Sequence, residues 1–391
     1  METPASQGYR WPAEWEPHRA TWLSWPHNRE TWPDALDVVR ASFAAMVAAL
    51  APREAVEIGV ADDAMEETAR AAIRRAGWDP DRNVRFHRWP TTDAWCRDHG
   101  PIFVVRKRSR RSAGRGARSP QGAQGAAQRA AGERSSSGRQ ASEVHQDAGE
   151  PATKAILDFR FDNWGRKYPG WELDDAVPRH VEKALGLPRF ASEMVLEGGG
   201  IDGDGQGTVL TTESCLLHPN RGPGRTRERM ERLLADFLGA RRVLWLGEGI
   251  AGDDTDGHVD DIARFVAPGV VVAATCDDPA DANAAPLAEN LRRLRAMSDA
   301  RGAALQIVEL PMPPRLEQAG QRSPASHANF YLANGVALVP VFGHGSDARA
   351  LAILRELLPG RDVVGIPSAE LVSGFGAVHC VTQQEPAGEA P

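Results

Sequence analysis

The feature that most constrains the fold is a pattern that recurs roughly every fifty residues along the chain. Each unit shows an extended stretch, often with a turn and a second strand, then an amphipathic helix and a closing strand. The clearest unit begins with MVLEGGG (194–200) and TVLTTESCLL (208–217). A helical pattern follows in RTRERMERLLADFLG (225–239), and RRVLWL (241–246) closes the unit. Alternation of helical and extended patterns predicts an α/β protein.

Two other parts of the chain, 263–310 and 327–372, show the same order, and 34–61 and 64–89 supply two earlier helix–strand pairs. The sequence therefore predicts five units. In the last unit, Ser346 is expected to cap the helix, and Pro359 and Gly360 are expected to end it. We expect a closed, five-bladed ring of small mixed sheets with the helices outside. A single doubly wound sheet is the alternative.

Composition favours a cytoplasmic protein. The chain has 391 residues, of which 42% are hydrophobic, enough for a large core. Its four cysteines lie far apart without a CxxC motif, which favours unpaired thiols in a reducing compartment: Cys96, Cys215, Cys276 and Cys380. No secretory signal is visible at the start, and no apolar run approaches the roughly 18 residues of a membrane helix. No membrane partner is therefore expected.

One polar, Arg/Ser/Gly-rich segment interrupts the pattern. Residues 106–154 contain eleven Lys/Arg and four Asp/Glu, whereas the whole chain carries a net charge of −7. Its composition predicts a disordered insertion at about 107–153 within a single catalytic domain spanning 1–391. The strand-like stretches 101–105 and 155–161 flank it as in a surface hairpin. RNA binding is the alternative, but no aromatic residues are interleaved for base stacking, so no nucleic-acid partner is expected.

The stretch TTDAWCRDHGP places a carboxylate at a turn. Asp98 precedes His99, Gly100 and Pro101, a turn signature that would put its side chain at the mouth of a strand. The alternative is an aspartate that bonds only the turn backbone. Cys96 is a rival nucleophile here, but a neighbouring carboxylate raises the pKa of a thiol, so Cys96 is interpreted as a bystander.

The stretch MVLEGGG ends an apolar strand on Glu197 and continues with three glycines, which allow close backbone approach. A buried carboxylate on such a strand needs a partner, and a cationic ligand would serve. The following stretch nearly matches a calcium loop, with acceptors at Asp202, Asp204, Gln206 and Glu213. Strand-like flanks, where an EF-hand needs helices, argue against calcium.

The stretch DDTDGHVDDIARF contains acids on both sides of a histidine. On an extended backbone Asp256, His258 and Asp260 share one face. A carboxylate beside an imidazole favours the protonated form that acid–base catalysis uses. Zinc is the competing interpretation, but a second His or Cys at ligand spacing is missing. A polar strand end without function is the third alternative.

The stretch GFGAVHCVTQQEP (374–386) places His379 beside Cys380, at the expected end of a short strand. Neighbours on a strand point to opposite faces, so the base of a catalytic Cys380 must come from elsewhere. A lone cysteine is usually a small core residue. Acids, one histidine and one cysteine at comparable positions of the units nevertheless form a coherent set for attack on a planar cation.

Several of these stretches together resemble agmatine deiminases and the related bacterial (Porphyromonas-type) peptidylarginine deiminases of the guanidino-group-modifying (pentein) superfamily. The resemblance covers nearly the whole chain outside the insertion. It rests on PAEWEPHRATWLSWPHNRETWP, WCRDHGP, DFRFDNWGRKYP, LEGGGIDGDGQGTVLTTESCLLHPNR, DDTDGHVDD, NFYLANG and VHCVTQQEP. It implies a five-bladed α/β propeller of ββαβ units and a deiminase that converts agmatine and water to N-carbamoylputrescine and ammonia.

The resemblance also implies roles for individual residues. Cys380 would be the nucleophile and His258 the general acid/base. Asp98 and Glu197 would grip the guanidinium nitrogens, and Asp260 would be a further carboxylate partner of the substrate or the histidine. A covalent thiouronium would form on the cysteine and be hydrolysed, so the implied chemistry needs neither a metal nor an organic cofactor.

Trp95 would form part of the substrate wall, and His379 receives no catalytic role. The chain departs from the usual family pattern near the expected site, where GFGAVHC replaces GGGNIHC, EGGG replaces EGGS and ASHANFY replaces ASYVNFY. The departing residues are Phe375, Ala377, Gly200, His327 and Ala328. None removes an implied catalytic group, but they make agmatine a less secure assignment than deimination.

Other functions remain as alternatives. The same chemistry would serve free arginine, another small guanidine or an arginine side chain in a peptide, and an amidinotransferase would pass the thiouronium to an amine. A non-catalytic guanidinium-binding module would not need the thiol of Cys380. A thiol protease is disfavoured because the paired acids suit a cationic substrate. The expected partner is a small cationic guanidine, and a homodimer is left open.

Overall fold

The structure, a computed structural model, describes residues 2–107, 153–318 and 320–388. The insertion expected at about 107–153 falls almost entirely outside the described residues. Within them the strands are β1 (His18–Ser24), β2 (Ala55–Val60), β3 (Val84–Arg88), β4 (Ile102–Val105), β5 (Lys154–Arg160), β6 (Arg189–Val195), β7 (Ile201–Gly203), β8 (Thr208–Thr212), β9 (Arg242–Leu246), β10 (Ala263–Ala267), β11 (Val270–Thr275), β12 (Gln306–Pro311), β13 (Glu317–Gln318), β14 (Gln321–Arg322), β15 (Tyr331–Ala333), β16 (Val336–Val341), β17 (Asp362–Pro367) and β18 (Gln383–Pro386).

The helices follow the apolar periodicity of the sequence. They are α1 (Leu36–Leu50), α2 (Asp63–Arg75), α3 (Cys96–His99), α4 (Asn163–Arg166), α5 (Trp171–Asp174), α6 (Val177–Leu185), α7 (Glu213–Leu216), α8 (Arg227–Leu238), α9 (Ala284–Ala296) and α10 (Gly345–Leu357). No helix in the described ranges combines the length and the apolar character that crossing a membrane requires.

The strands form five small mixed sheets. Their orders are β18-β1-β2-β3, β4-β5-β6, β7-β8-β9, β10-β11-β12 and β15-β16-β17, and β13 pairs separately with β14. In each of the five, an antiparallel pair is followed by parallel pairing. Parallel neighbours need a crossover, and α1, α6, α8, α9 and α10 supply one to each sheet. The α/β prediction is confirmed, and the alternative of one doubly wound sheet is wrong.

Two local predictions are corrected. The stretch expected to be extended through 217 leaves the strand at Thr212, whose hydroxyl accepts from the Cys215 amide and starts α7. The cap of α10 is His344 rather than Ser346. The Asp347 carboxylate accepts from the His344 amide at 3.0 Å, so the two residues cap each other.

A buried arginine joins β10 to β7 and to the segments before β1 and β15. Arg264 of β10 is fully buried and bonds the Asp202 carboxylate of β7. It also donates to Glu14 Oε1 at 2.8 Å and to the Phe330 carbonyl at 2.6 Å. Asp202, the first acid of the calcium-like stretch, is therefore part of a buried ion pair, as buried charges require.

Candidate active site

A cavity of about 440 Å³ is lined by the segments that follow β1, β3, β5, β9 and β17. Its inner end is lined by Trp95, Asp98, Trp164 and Cys380, and one wall is the loop 374–376. These side chains come from α3, α4 and the segment before β18, which are distant in sequence. A cavity of this size with a few convergent polar groups is typical of a small-molecule site.

Cys380 lies in a turn, which corrects the expected strand. The turn covers residues 378–381, and the Thr382 amide donates to the His379 carbonyl at 3.1 Å. The Cys380 carbonyl accepts from the Arg97 amide of α3 at 3.0 Å. The turn aims the thiol at the cavity, and strand alternation, which we used to separate His379 from the site, does not apply here.

The Cys380 thiol is held among acids. Asn329 donates from Nδ2 to its sulfur at 3.2 Å, and Asp260 Oδ2 lies 3.9 Å away. Burial raises the pKa of Cys380 well above its ordinary value, and Asp260, Asp261 and other nearby carboxylates raise it further. In the empty site the residue is therefore a thiol rather than a thiolate.

This electrostatic environment predicts slow alkylation of the free protein. We expect the rate at which iodoacetamide modifies Cys380 to increase about tenfold per pH unit up to at least pH 9, because the thiolate alone reacts and its pKa is raised. Mass spectrometry of the Cys380 peptide separates this reaction from that of the partly exposed Cys276. A plateau below the ordinary thiol pKa of about 8.5 would contradict the expectation.

Gly199 marks the point where the other predicted groups converge. A Cβ atom on this glycine would lie 2.5 Å from His258 Nδ1 and 3.0 Å from both Asp260 Oδ2 and Asp98 Oδ1. The glycine belongs to a single 3₁₀ turn, Gly198–Gly200, which directly follows Glu197. Glu197 lies two residues beyond the end of β6 and not on a strand, where the sequence predicted it. Gly199 therefore makes room for three catalytic candidates that come from two separate stretches of the chain.

Asp98 is oriented from two sides. The Gly199 amide donates to its Oδ1 at 3.0 Å, and the Trp164 indole donates to its Oδ2 at 2.9 Å. Burial raises the pKa of Asp98, with Asp260 and Glu197 adding to the increase while His258 opposes it. The carboxylate is thus fixed at the cavity wall among other acids, and a cationic ligand would relieve their repulsion.

His258 precedes a 3₁₀ turn, Val259–Asp261, rather than lying on an extended strand. Its amide donates to Asp253 Oδ2 and Thr255 Oγ1, each at 3.1 Å. Its Nδ1 lies 3.8 Å from Asp98 Oδ1. Burial lowers the pKa of His258, but Asp98, the neighbouring Cys215 and Asp260 raise it well above its ordinary value. The imidazole is therefore protonated at neutral pH, as a general acid must be.

Asp256, which an extended backbone would place on the same face, lies apart. Its backbone has a positive φ of 66°, and Gly257 follows with a φ of 104°, so the chain reverses before His258. Its carboxylate bonds Arg221 and accepts from Lys167 Nζ at 2.8 Å. Asp256 thus binds two cations beside the site. The prediction that it shares one face with His258 and Asp260 was wrong for this residue.

Glu197 faces the histidine. It is 1% exposed, and Arg221 Nε donates to its Oε1 at 3.0 Å. A carboxylate oxygen of Glu197, a ring nitrogen of His258 and the Cys215 sulfur lie within 4.8 Å of one another. Such donors suit zinc, but the Arg221 guanidinium already neutralises the carboxylate, so we assign no metal here.

The loop 374–376 carries an unusual backbone. Phe375 has a φ of 73° and a ψ of 17°, a left-handed conformation that is strained for a bulky residue. Gly376 has no room for a side chain, since a Cβ there would lie 2.5 Å from Trp95 and 2.9 Å from the Cys380 Cβ. The sequence departure at Phe375 therefore places an aromatic ring at the cavity wall.

Sequence reasoning did not identify four residues that contact the predicted groups. They are Trp164 on Asp98, Asn329 on Cys380, Cys215 beside His258 and Glu14 in the network behind Asp260. Asn329 also accepts from the His379 amide at 2.9 Å. Their only signal was membership in the stretches that carry the family resemblance, such as DFRFDNWGRKYP and NFYLANG.

Comparison with known proteins agrees with this geometry. The model of the Porphyromonas-type peptidyl-arginine deiminase family matches residues 10–386. The agmatine deiminase of Ectopseudomonas mendocina is 35% identical over 408 aligned residues, covering 98% of this chain and 97% of the relative. The agmatine deiminase of Medicago truncatula is 34% identical with 98% of both chains covered.

A solved structure shares the fold. The agmatine deiminase of Enterococcus faecalis superimposes with a TM-score of 0.82 at 29% identity, covering 99% of this chain and 98% of that one. The sequence match extends over both sides of the insertion and includes every element that builds the cavity. The chain belongs to the Porphyromonas-type peptidyl-arginine deiminase family.

Proposed function

We propose that this protein is an agmatine deiminase, which hydrolyses agmatine to N-carbamoylputrescine and ammonia. One observation carries the proposal: a buried thiol, Cys380, sits among carboxylates at the inner end of a cavity of about 440 Å³. Such a site disfavours a neutral or anionic substrate and favours a cation that carries an electrophilic carbon. The relatives from Ectopseudomonas mendocina and Medicago truncatula, both agmatine deiminases, support the same substrate.

The guanidinium group would lie between Asp98 and Asp260. Both carboxylates are almost fully buried, and Asp260 Oδ1 has no hydrogen-bond partner among the described residues. Charge-assisted bonds to two guanidinium nitrogens would hold the central carbon at the Cys380 sulfur. Trp95 and Trp164 would enclose the planar group. The bound cation also offsets the acids that raise the pKa of the thiol, so substrate binding favours the thiolate.

The chemistry then needs one nucleophile and one proton carrier. As the thiol of Cys380 loses its proton to water, its sulfur attacks the guanidinium carbon and forms a C–S bond. His258 gives its proton to one nitrogen, the C–N bond breaks, and ammonia leaves a thiouronium on the cysteine. The now neutral imidazole takes a proton from water as its oxygen attacks the same carbon. The C–S bond breaks as the remaining hydroxyl proton passes to the sulfur, which gives the ureido product and regenerates the Cys380 thiol.

Glu197 supports the histidine in this mechanism. Its carboxylate lies within 4.8 Å of the His258 ring and is fixed by Arg221. Arg221 Nε already donates to Glu197 Oε1, and Glu197 is not among the described residues that line the cavity. We therefore propose that Glu197 stabilises the positive charge of His258 and does not bind the substrate nitrogens. The guanidinium is left to Asp98 and Asp260, which reach the cavity or the thiol directly.

The outer part of the cavity favours a second positive charge. Glu30, Asp93 and Asp254 line it, and no lysine or arginine is among its described lining residues. Asp254 accepts from the Tyr168 hydroxyl at 2.5 Å, which holds the carboxylate at the wall. The terminal ammonium of agmatine complements these acids, whereas the α-carboxylate of arginine would be repelled by them.

We expect kcat/KM for free arginine to be at least tenfold below that for agmatine, because the substrate carboxylate would meet the like charges of Glu30, Asp93 and Asp254. Ammonia and ureido product are measured for agmatine, arginine and an arginine-containing peptide in parallel, with Cys380→Ser protein as the blank. Equal or faster turnover of arginine or the peptide would reject agmatine as the substrate and retain deimination.

The closure of the sheets, the extent of the domain and the cellular compartment are also our proposals. We propose that the five sheets close into a pseudo-symmetric five-bladed ring, and that residues 1–391 form one catalytic domain. The unpaired cysteines support work in the reducing cytoplasm. The choice between a monomer and a homodimer is left open, and light scattering coupled to size exclusion measures which of the two is present.

A further inference from the structure

We propose that Glu14 and His379 are positioning residues that act through Asp260 and hold its free oxygen ready for the guanidinium group. The inference rests on the proposed function, and it gives His379 a role that its position next to the nucleophile did not suggest. Neither residue lines the cavity. Each would act on the reaction only through the carboxylate that it orients.

The three groups form a chain of short hydrogen bonds. His379 Nδ1 lies 2.6 Å from Asp260 Oδ2, and His379 Nε2 lies 2.7 Å from Glu14 Oε2. Ionised carboxylates can only accept hydrogen bonds, and each of the two faces one ring nitrogen of His379. His379 thereby bridges two buried carboxylates.

The two carboxylate oxygens of Asp260 have different surroundings. Oδ2 is held by His379, while Oδ1 is buried without a hydrogen-bond partner in the described parts of the chain. A buried carboxylate oxygen of this kind costs free energy unless a donor arrives. Burial raises the pKa of Asp260, but the contact with His379 lowers it below its ordinary value. The carboxylate therefore stays ionised and keeps an acceptor free for a guanidinium N–H.

Glu14 fixes the end of this hydrogen-bond chain that is farther from the thiol. Its carboxylate accepts from Arg264 Nη2 at 2.8 Å, from Arg97 Nη2 at 3.2 Å and from the Leu332 amide at 2.8 Å. Burial raises the pKa of Glu14, yet Arg264, His379 and Arg97 bring it well below its ordinary value. Arg97 also donates its amide to the Cys380 carbonyl at 3.0 Å. The same network thus fixes the nucleophile turn and the carboxylate beside it.

A merely structural network would stabilise the fold without affecting substrate affinity, and two variants separate these roles. His379→Asn removes one of the two ring donors, and Glu14→Gln removes the distant charge while keeping its shape. The matched control is His327→Asn. His327 is also buried and bridges two acceptors, Asp347 Oδ1 at 2.8 Å and the Pro311 carbonyl at 2.7 Å, outside the cavity.

Two measurements report how tightly a guanidinium group binds. The first is kcat and KM for agmatine. The second is the concentration of methylguanidine that halves the rate at which iodoacetamide alkylates Cys380, which needs no turnover. We expect both KM and the half-protecting concentration to rise about 10- to 100-fold in His379→Asn and Glu14→Gln, because one charge-assisted hydrogen bond is weakened. The control should change neither by more than about twofold, although its thermal stability falls too.

The outcomes distinguish the two proposals. Unchanged protection in a folded His379→Asn or Glu14→Gln protein would overturn the positioning role, and Glu14→Gln decides if His379→Asn does not fold. Failure of both to fold, while His327→Asn folds, would assign the network to the fold and also overturn it. If the wild-type protein fails to turn over agmatine but methylguanidine protection depends on His379, the proposed function fails and the positioning role stands.

Discussion

Replacing Cys380 by serine is expected to lower kcat for agmatine by about 10⁴-fold or more. A serine hydroxyl is a far weaker acid than a thiol and would need a general base to attack the guanidinium carbon. The site offers none at that step, because the pKa of His258 is raised well above its ordinary value and the imidazole starts protonated. The measurement is ammonia release by the purified variant at saturating agmatine.

The fold should survive this substitution. Serine is slightly smaller than cysteine, and Asn329, which donates to the sulfur at 3.2 Å, can donate to the hydroxyl instead. Thermal unfolding within a few degrees of wild type is therefore expected. Cys276→Ser is the control, since Cys276 is a partly exposed thiol outside the cavity. Full activity in Cys380→Ser, or its loss in Cys276→Ser, would refute Cys380 as the nucleophile.

The substitution Gly199→Ala is expected to lower kcat/KM by more than about 10²-fold, since misplacing reacting groups by about 1 Å has effects of that size. Its Cβ would lie 2.5 Å from His258 Nδ1 and 3.0 Å from oxygens of Asp98 and Asp260. The backbone there is not in the left-handed region, so the effect is steric rather than conformational. Steady-state kinetics with agmatine measures it.

Gly345→Ala provides the matched control. Gly345 begins α10, its φ also lies outside the left-handed region, and a Cβ there meets no atom within 4 Å. We expect this variant to keep wild-type kinetics and to be slightly more stable, since alanine favours a helix. Wild-type kinetics in Gly199→Ala would show that Asp98, His258 and Asp260 do not act around this glycine.

The candidate site could be predicted in part from the sequence. Asp98, His258, Asp260 and Cys380 were each recognised from a short stretch, and the structure brings all four to one place around Gly199 and the cavity. Their individual roles remain proposals. The patterns worked because each stretch combines a titratable residue with glycines or a turn, and those features are local to the chain.

Other parts of the site had no local signal. His379 was set aside because residue neighbours on a strand face opposite ways, yet a turn lets it reach Asp260, 119 positions earlier in the chain. The contact of Glu197 with the substrate stays a prediction, and nothing in the sequence indicated that Arg221 Nε donates to its Oε1 at 3.0 Å. Such pairings depend on how distant segments pack, and the identity of a single residue does not encode them.

The sequence by itself determined the α/β alternation and the positions of α1, α2, α8, α9 and α10, because helical and extended periodicities involve residues only a few positions apart. It also determined which residues carry reactive groups. It did not predict α6 or the unit formed by β4, β5 and β6. Only the tertiary structure decided which of these groups meet and in what state. The pKa of Cys380, for example, depends on burial, on Asp260 and Asp261 just before β10, and on Asp98 of α3. Electrostatic effects of this kind follow distance in space, which the order of residues along the chain does not give.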